Sequence, residues 1–308
     1  VHMHTGGSPG SYVNSLCVAS ANNLFMTGTT MTFNGSQQVF YNETDNNGGK
    51  LTDVAGSYSY VYIDAPGNSA DYSAVNSAIS LSGKIVIVNR GDISFVDKGN
   101  NAKSYNPKGL IVANNVPGTG IYMSLTDYTG TFPMVSITLE DANTIKENST
   151  AHTTGSYTYY TGTVTVNAQQ ITAQVSDNPE MSAFSSWGVP GALTMKPEIT
   201  APGGNIWSVN GAVPGGTAYE IMSGTSMASP QIAGVNAVLK QYIHETGLAE
   251  KLGMNERAVA QSLLMSTSLP LREEATGNYW SVMKQGSGLV DLPSAINARS
   301  LIMIASVP

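Results

Sequence analysis

The clearest chemical signal in this 308-residue chain is a serine in the run Gly224-Thr225-Ser226-Met227-Ala228-Ser229-Pro230. A helical pattern from about Ser226 to His244 follows it. A serine hydroxyl is a weak nucleophile and must be held against a base to attack a carbonyl. Placed in the first turn of a helix, Ser226 has a fixed rotamer. Unpaired backbone N–H groups and the positive end of the helix dipole then point at a developing oxyanion. Gly224 allows close approach of a substrate backbone. Ala228 and Ser229 are small enough to let the helix lie close to a sheet. Thr225 reads equally as a helix cap or as a hydrogen-bonding residue behind Ser226.

Other reactive groups are scarce. Histidine occurs four times, at positions 2, 4, 152 and 244, and cysteine once, as Cys17, so no intrachain disulfide forms. His2 and His4 read as a metal-binding pair or as a solvated terminus. Arg90-Gly91-Asp92 spells an adhesive tripeptide, and it reads equally as the end of a strand. Asn34-Gly35-Ser36, Asn42-Glu43-Thr44 and Asn148-Ser149-Thr150 match glycosylation acceptors, a pattern that Asn/Thr-rich loops produce by chance.

The elements that must position these groups fall into two styles. Ser15–Ser20 is an apolar run after the turn Ser8-Pro9-Gly10 and predicts a buried strand. A polar stretch from Asn34 to Lys50 follows. Ser57–Ile63, Lys84–Val88, Leu110–Ala113 and Met134–Ile137 predict strands. Asp97–Tyr105 and Leu139–Asn148 predict helices between them, which gives a small α/β unit. Tyr157–Thr172 predicts strand again. Beyond Ser176, Pro/Gly-rich loops lead to the Ser226 helix and then to a helix over Asn255–Ser266, with Val259, Leu263 and Leu264 on one face. A short strand and helix close the chain over Gly286–Ala298. No internal repeat is present. The layout is one α/β domain interrupted by a second module.

Composition narrows the class. Hydrophobic residues make up 41% and charged residues 11%, which is core-forming and not disordered. The balance of 14 basic and 21 acidic residues gives a net charge of −7 with no basic run, against a nucleic-acid partner. No stretch approaches the ~20 apolar residues of a transmembrane helix.

The seven residues around Ser226 resemble the nucleophile motif of the subtilase family at every position. The flanks agree: Ala183-Phe184-Ser185-Ser186-Trp187-Gly188, Met195 to Gly203, and Gln285 to Asp291. Gly83 to Gly91, Phe95, Lys98, Asn101-Ala102, Gly109 to Asn115 and Pro133 to Ile137 resemble a protease-associated domain. The combination is similar to the streptococcal C5a peptidase and lactocepin group of cell-envelope proteases. The resemblance implies a subtilisin-like parallel-sheet α/β/α sandwich, in its C-terminal portion. Residues 1–27 and 166–308 belong to the catalytic domain and 28–165 to the β-rich protease-associated insertion.

It further implies a serine endopeptidase in which Ser226 attacks and its N–H helps bind the oxyanion. Gly6, Gly7, Ser8 and Gly224 would bind substrate. In the family, an Asp, a His in a His-Gly-Thr motif and an oxyanion Asn precede the serine. None of the four histidines here has that context, and no Asn precedes Gly7. The expectation is therefore a chain starting after the oxyanion segment, with Asp, His and Asn supplied by an N-terminal half of the same protease. Alone, it should expose a large apolar face. The resemblance implies no cofactor, and neither calcium nor another metal is assigned a site. It places the protein in the secreted or bacterial cell-surface class, with signal and anchor outside this chain. The alternative is a catalytically inactive subtilase-like binding or adhesion protein, which an activity probe for serine would separate.

Overall fold

The apolar run after the Ser8-Pro9-Gly10 turn forms the first strand, β1 (Val18–Asn22), in a computed structural model of the protein. The structure describes residues 5–43, 48–118, 120–121, 123–189, 191, 194–211 and 219–302. His2 and His4 lie outside them. Two units make up the chain: Val1–Met26 with Gln174–Pro308, called here the serine unit, and Thr27–Ala173, the inserted unit.

The inserted unit follows β1. It contains β2 (Phe25–Phe33), β3 (Gln37–Phe40), β4 (Asn42–Glu43), β5 (Gly56–Ile63), α1 (Ser69–Ala78), β6 (Ile85–Asn89) and α2 (Phe95–Ala102). Then come β7 (Gly109–Ala113), β8 (Met134–Ile137), α3 (Leu139–Glu147), β9 (Thr150–Thr154) and β10 (Tyr157–Gln174). The sheet order is β3-β2-β10-β5-β6-β7-β8-β4, with β9 also on β10. Strands β5 to β8 are parallel, with Val61, Val86, Leu110 and Met134 in register. Parallel strands covered on both faces read as unbroken apolar runs, which is why these four were legible. Tyr72, Val75 and Ala102 of α1 and α2 pack on the face bearing Val86 and Leu110, and Ala142 and Ile145 of α3 on the face bearing Ile87 and Ile111. Ser94 and Thr138 cap α2 and α3, their hydroxyls accepting the N–H of Asp97 at 3.1 Å and of Asp141 at 3.0 Å. The unit runs to Ala173 along β10, which is one strand from Tyr157 to Gln174. Where the unit begins and ends, the hydroxyls of Thr27 and Thr172 lie 2.7 Å apart.

The chain then returns to the serine unit through β11 (Ile199–Gly204), β12 (Ile206–Val209), β13 (Tyr219–Met222), α4 (Thr225–Thr246), α5 (Leu248–Leu252), α6 (Glu256–Thr267), α7 (Val282–Gln285) and α8 (Leu292–Asn297). Strand β11 pairs in parallel with β1, Val18 opposite Ile199 and Ser20 opposite Ala201. Val18, Ile199 and Ala201 face the helical layer, where Ala228, Ile232 and Leu239 of α4 meet Leu263 of α6 and Ala295 of α8. Ala19 and Ala21 face the other way, against Met181, Leu271 and Leu289. The result is an α/β arrangement with parallel pairing at its centre.

Two buried lysines lock loops in place. In the serine unit, Lys196 and Glu198 form a buried ion pair. Lys196 also donates to the Ser15 carbonyl at 2.7 Å, and Glu198 accepts the Cys17 N–H at 2.7 Å. The pair thus fixes the start of β1 to the start of β11. Removing one partner of such a pair leaves an uncompensated buried charge, which costs about 3–5 kcal/mol. Glu198→Ala is expected to lose that much in denaturant unfolding of the protein, and Glu198→Gln distinctly less.

In the inserted unit, Lys98 donates to the carbonyls of Pro66 at 2.5 Å and Gly91 at 2.8 Å. Burial holds its ammonium down to about 8, with Asp92 and Asp71 opposing. Above that value the folded lysine has released its proton while the unfolded lysine, near 10.4, still holds it. The unfolded state then binds more protons, so this residue's contribution to stability rises with pH. Between pH 7 and 9.5 the unfolding midpoint of the parent protein is therefore expected to rise relative to that of Lys98→Met.

Candidate active site

Ser226 is the second residue of α4 and is exposed. The N-cap of the helix is Gly224, which offers no side chain to the first-turn N–H groups. Thr225 is thus the first helical residue and not the cap. Met227 N–H bonds back to Gly224 O at 3.0 Å, while the N–H of Ser226 has no partner among the described residues. Pro230 lies inside the helix and lacks the N–H that would bond the Ser226 carbonyl. The first turn therefore carries an unoccupied donor beside the hydroxyl, which is the geometry that stabilises a developing oxyanion.

The helix start is fixed by close contact with β11. Gly224 N–H donates to Gly203 O at 2.8 Å, and Gln231 Nε2 to Pro202 O at 2.7 Å. A Cβ at Gly203 would stand 2.4 Å from Ser20 Oγ, 2.7 Å from Gly224 O and 3.0 Å from Ala228 Cβ. Ala228 is fully buried here, as its small size suggested. Ser229 is not: it is exposed, because the next residue on a helix is turned by about 100°.

Ser226 opens into a groove of about 720 Å³. Gly6, Gly7 and Ser8 line one side of it, Leu16 to Ala19 its floor, and Ser229, Pro230 and Ala233 continue the Ser226 side. The three-, four- and seven-residue spacing of that last set from Ser226 places them on one helix face, a signal carried by the sequence. The Gly6–Ser8 wall is tied down at Trp187, whose carbonyl accepts the N–H of Thr5 at 3.0 Å and of Gly6 at 3.2 Å. A Cβ on Gly7 would meet nothing within 4 Å, so that side of the groove is open. A Cβ on Gly224 would meet only Met227 Sδ at 3.5 Å and Ser226 atoms, so it too has room.

The two described histidines are engaged elsewhere. His152 belongs to the inserted unit, 2.9 Å from Thr161 Oγ1 and stacked on Tyr159. His244 lies in the last turn of α4, 3.6 Å from Glu256. Eighteen residues of helix separate it from Ser226, a rise of about 27 Å. Among the described residues no group of His, Cys, Asp or Glu could hold a metal ion. Arg90 does not extend as an adhesive loop requires: its side chain donates to Asn114 Oδ1 at 3.1 Å and its N–H to Ala113 O at 2.8 Å.

The profile of the Subtilase family matches residues 2–288. The chain belongs to the subtilase family. Among similar curated proteins, a PII-type proteinase of Lacticaseibacillus paracasei is 33% identical over 304 residues, 95% of this chain and 15% of that protein. A C5a peptidase of Streptococcus pyogenes serotype M1 is 31% identical over 248 residues, 80% of this chain and 19% of that protein. This subtilase chain thus spans less than a fifth of the length of these relatives. A crystal structure of a psychrophilic subtilisin-like protease from Pseudoalteromonas sp. AS-11 aligns with 96% of this chain and 61% of its own, at a TM-score of 0.40 and 16% identity.

The contact at Gly203 generates a prediction. Gly203→Ala must push the Gly224 carbonyl and the helix start away from β11, at about 1–3 kcal/mol of overpacking. It is expected both to lower the melting temperature of this subtilase and to slow reaction of Ser226 with an organophosphorus reagent, measured at a temperature where the variant is fully folded.

Proposed function

We propose that this chain carries the nucleophile of a serine endopeptidase that hydrolyses peptide bonds in protein substrates by acyl transfer. One observation carries the reading: Ser226 stands at an uncapped helix start and opens into the groove walled by Gly6, Gly7 and Ser8. Ser226 Oγ attacks the scissile carbonyl, and the free Ser226 N–H donates to the oxyanion that results. Gly6, Gly7, Ser8 and Gly224 bind the substrate backbone near the residue before the scissile bond. Thr225 hydrogen-bonds behind the nucleophile.

The proton acceptor, its orienting Asp and the side-chain oxyanion donor come from the N-terminal half of the same protease. Helix α4 supports this. Its exposed residues Ser229, Pro230, Ala233, Ala237 and Val238 form a stripe of small and apolar side chains, Val238 being 48% exposed. A helix that is apolar on several faces belongs inside a protein. In this reading that N-terminal half covers the stripe and closes the groove around Ser226.

The inserted unit reads as a protease-associated module that restricts or binds protein substrates and does no chemistry. Its four parallel strands and the buried Lys98 between two loops carry the residues quoted for that resemblance. The protease acts outside the cell or on the bacterial surface, in keeping with the resemblance. Among the described residues no helix is long and apolar enough to cross a membrane.

A fluorophosphonate probe tests the proposal. In a native preparation, label is expected on Ser226, in a chain that co-elutes with a fragment bearing the Asp and the His-Gly-Thr motif. Ser226→Ala should abolish labelling and lower proteolysis by several orders of magnitude. Wild-type proteolysis by Ser226→Ala, or full labelling of the isolated 308-residue chain, would sink the reading.

A further inference from the structure

Strand β10 outruns its neighbour. Its pairing with β5 runs from Tyr159 opposite Ile63 to Val166 opposite Gly56 and stops there. Gly56 has φ of +146°, a conformation open to glycine that turns the chain out of the line of β5. Strand β10 continues to Gln174 with β2 on its other side. Along a strand, main-chain groups of alternate residues point to opposite edges. Thr158 O accepts Asp64 N–H on the β5 side, whereas Thr163 O accepts Asn34 N–H on the β2 side. The even-numbered residues Ala168, Gln170 and Thr172 therefore aim their N–H and C=O groups at the edge that β5 leaves. Among the described residues, no strand lies there.

That edge borders a groove of about 630 Å³ within the inserted unit. Its polar wall comprises Thr30, Thr32, Gln38, Asn167 and Gln169. Asn167 donates to Thr30 Oγ1 at 3.0 Å and Thr32 Oγ1 at 3.2 Å, while its Oδ1 has no partner among the described residues. Exposed edges in natural proteins are guarded by lysine, proline, a bulge or shortness. Here the run Asn167-Ala168-Gln169-Gln170-Ile171-Thr172-Ala173 carries no charge and no proline.

We propose that this edge takes up an extended segment of the polypeptide substrate as an added strand, in the line that β5 vacates. Donors and acceptors repeating every second residue, about 6.6–6.8 Å apart, match the main chain of a polypeptide. The neutral hydroxyl and amide wall favours polar, uncharged side chains on it. The inference rests on the peptidase reading above, and it makes the inserted unit a second grip on substrate.

The test uses the intact protease with Ser226→Ala, and reduced, carboxymethylated α-lactalbumin as an unfolded, uncleaved probe. Amide exchange at residues 168, 170 and 172 is expected to slow when the probe binds. Gln170→Pro removes a donor from the open edge alone, since its main chain does not face β2, and should weaken binding at least tenfold. Ala168→Pro, on the same edge, should do likewise, and Gln170→Ala should not. With Ser226 restored, Gln170→Pro should hydrolyse a tetrapeptide anilide at the parent rate, which separates failure of this site from failure of the peptidase reading. Unchanged exchange, equal affinity in both folded proline variants, or a fall of native mass to half in them, which would mean that a second copy occupies the edge, overturns the proposal.

Discussion

Everything at the candidate site depends on how closely one helix end can approach one strand. At Gly203 there is no room for even a methyl group between β11, Ser20 and the first turn of α4. That approach lets Gly224 bond to the Gly203 carbonyl and sets Ala228 against the sheet, so the orientation of the helix start has little freedom. The other constraints act around it. Lys196 and Glu198 bind the ends of the two parallel strands. The carbonyl of Trp187 holds the segment that faces Ser226 across the groove. A nucleophile needs this kind of support, because misplacement by about 1 Å can remove much of the advantage of a preset geometry.

The helix start also combines features that work against its stability in isolation. A glycine N-cap, no side-chain acceptor and an internal proline each weaken the first turn. Ser/Thr-rich sequence near Ser226 could have supplied a cap. The first turn keeps an unfilled donor, and packing against β11 makes up the loss.

Much of this was legible in the sequence, for physical reasons that differ by element. The parallel strands of the inserted unit are buried on both faces, so their apolar runs stand out. The bounds of α4 follow from the motif and from Gly247, which ends it in a left-handed conformation. Helix α1 was not legible: its small residues leave a weak apolar face, with Asp71, Tyr72 and Val75 as its buried members. Strands β2 and β3 were hidden in Thr-, Asn- and Gln-rich sequence, because the face carrying Thr30 and Thr32 is satisfied by amides and not by apolar partners. The sequence leaves Thr225 open between a cap and a residue behind Ser226, and makes Ser229 a packing residue, because adjacency in sequence is not adjacency of direction on a helix. The groove itself was visible only as separate fragments, Gly6 to Ser8 and Ser226, more than 200 residues apart.

The paired hydroxyls of Thr27 and Thr172 have a consequence for ancestry. The 147 residues from Thr27 to Ala173 leave and return on neighbouring strands, so they add nothing to the distance their host must bridge. A host interrupted in this way can exchange the whole cassette in a single recombination event and close the gap with a hairpin turn. The cassette and its host can then evolve on separate schedules, one by exchange of the whole unit, the other by point substitution.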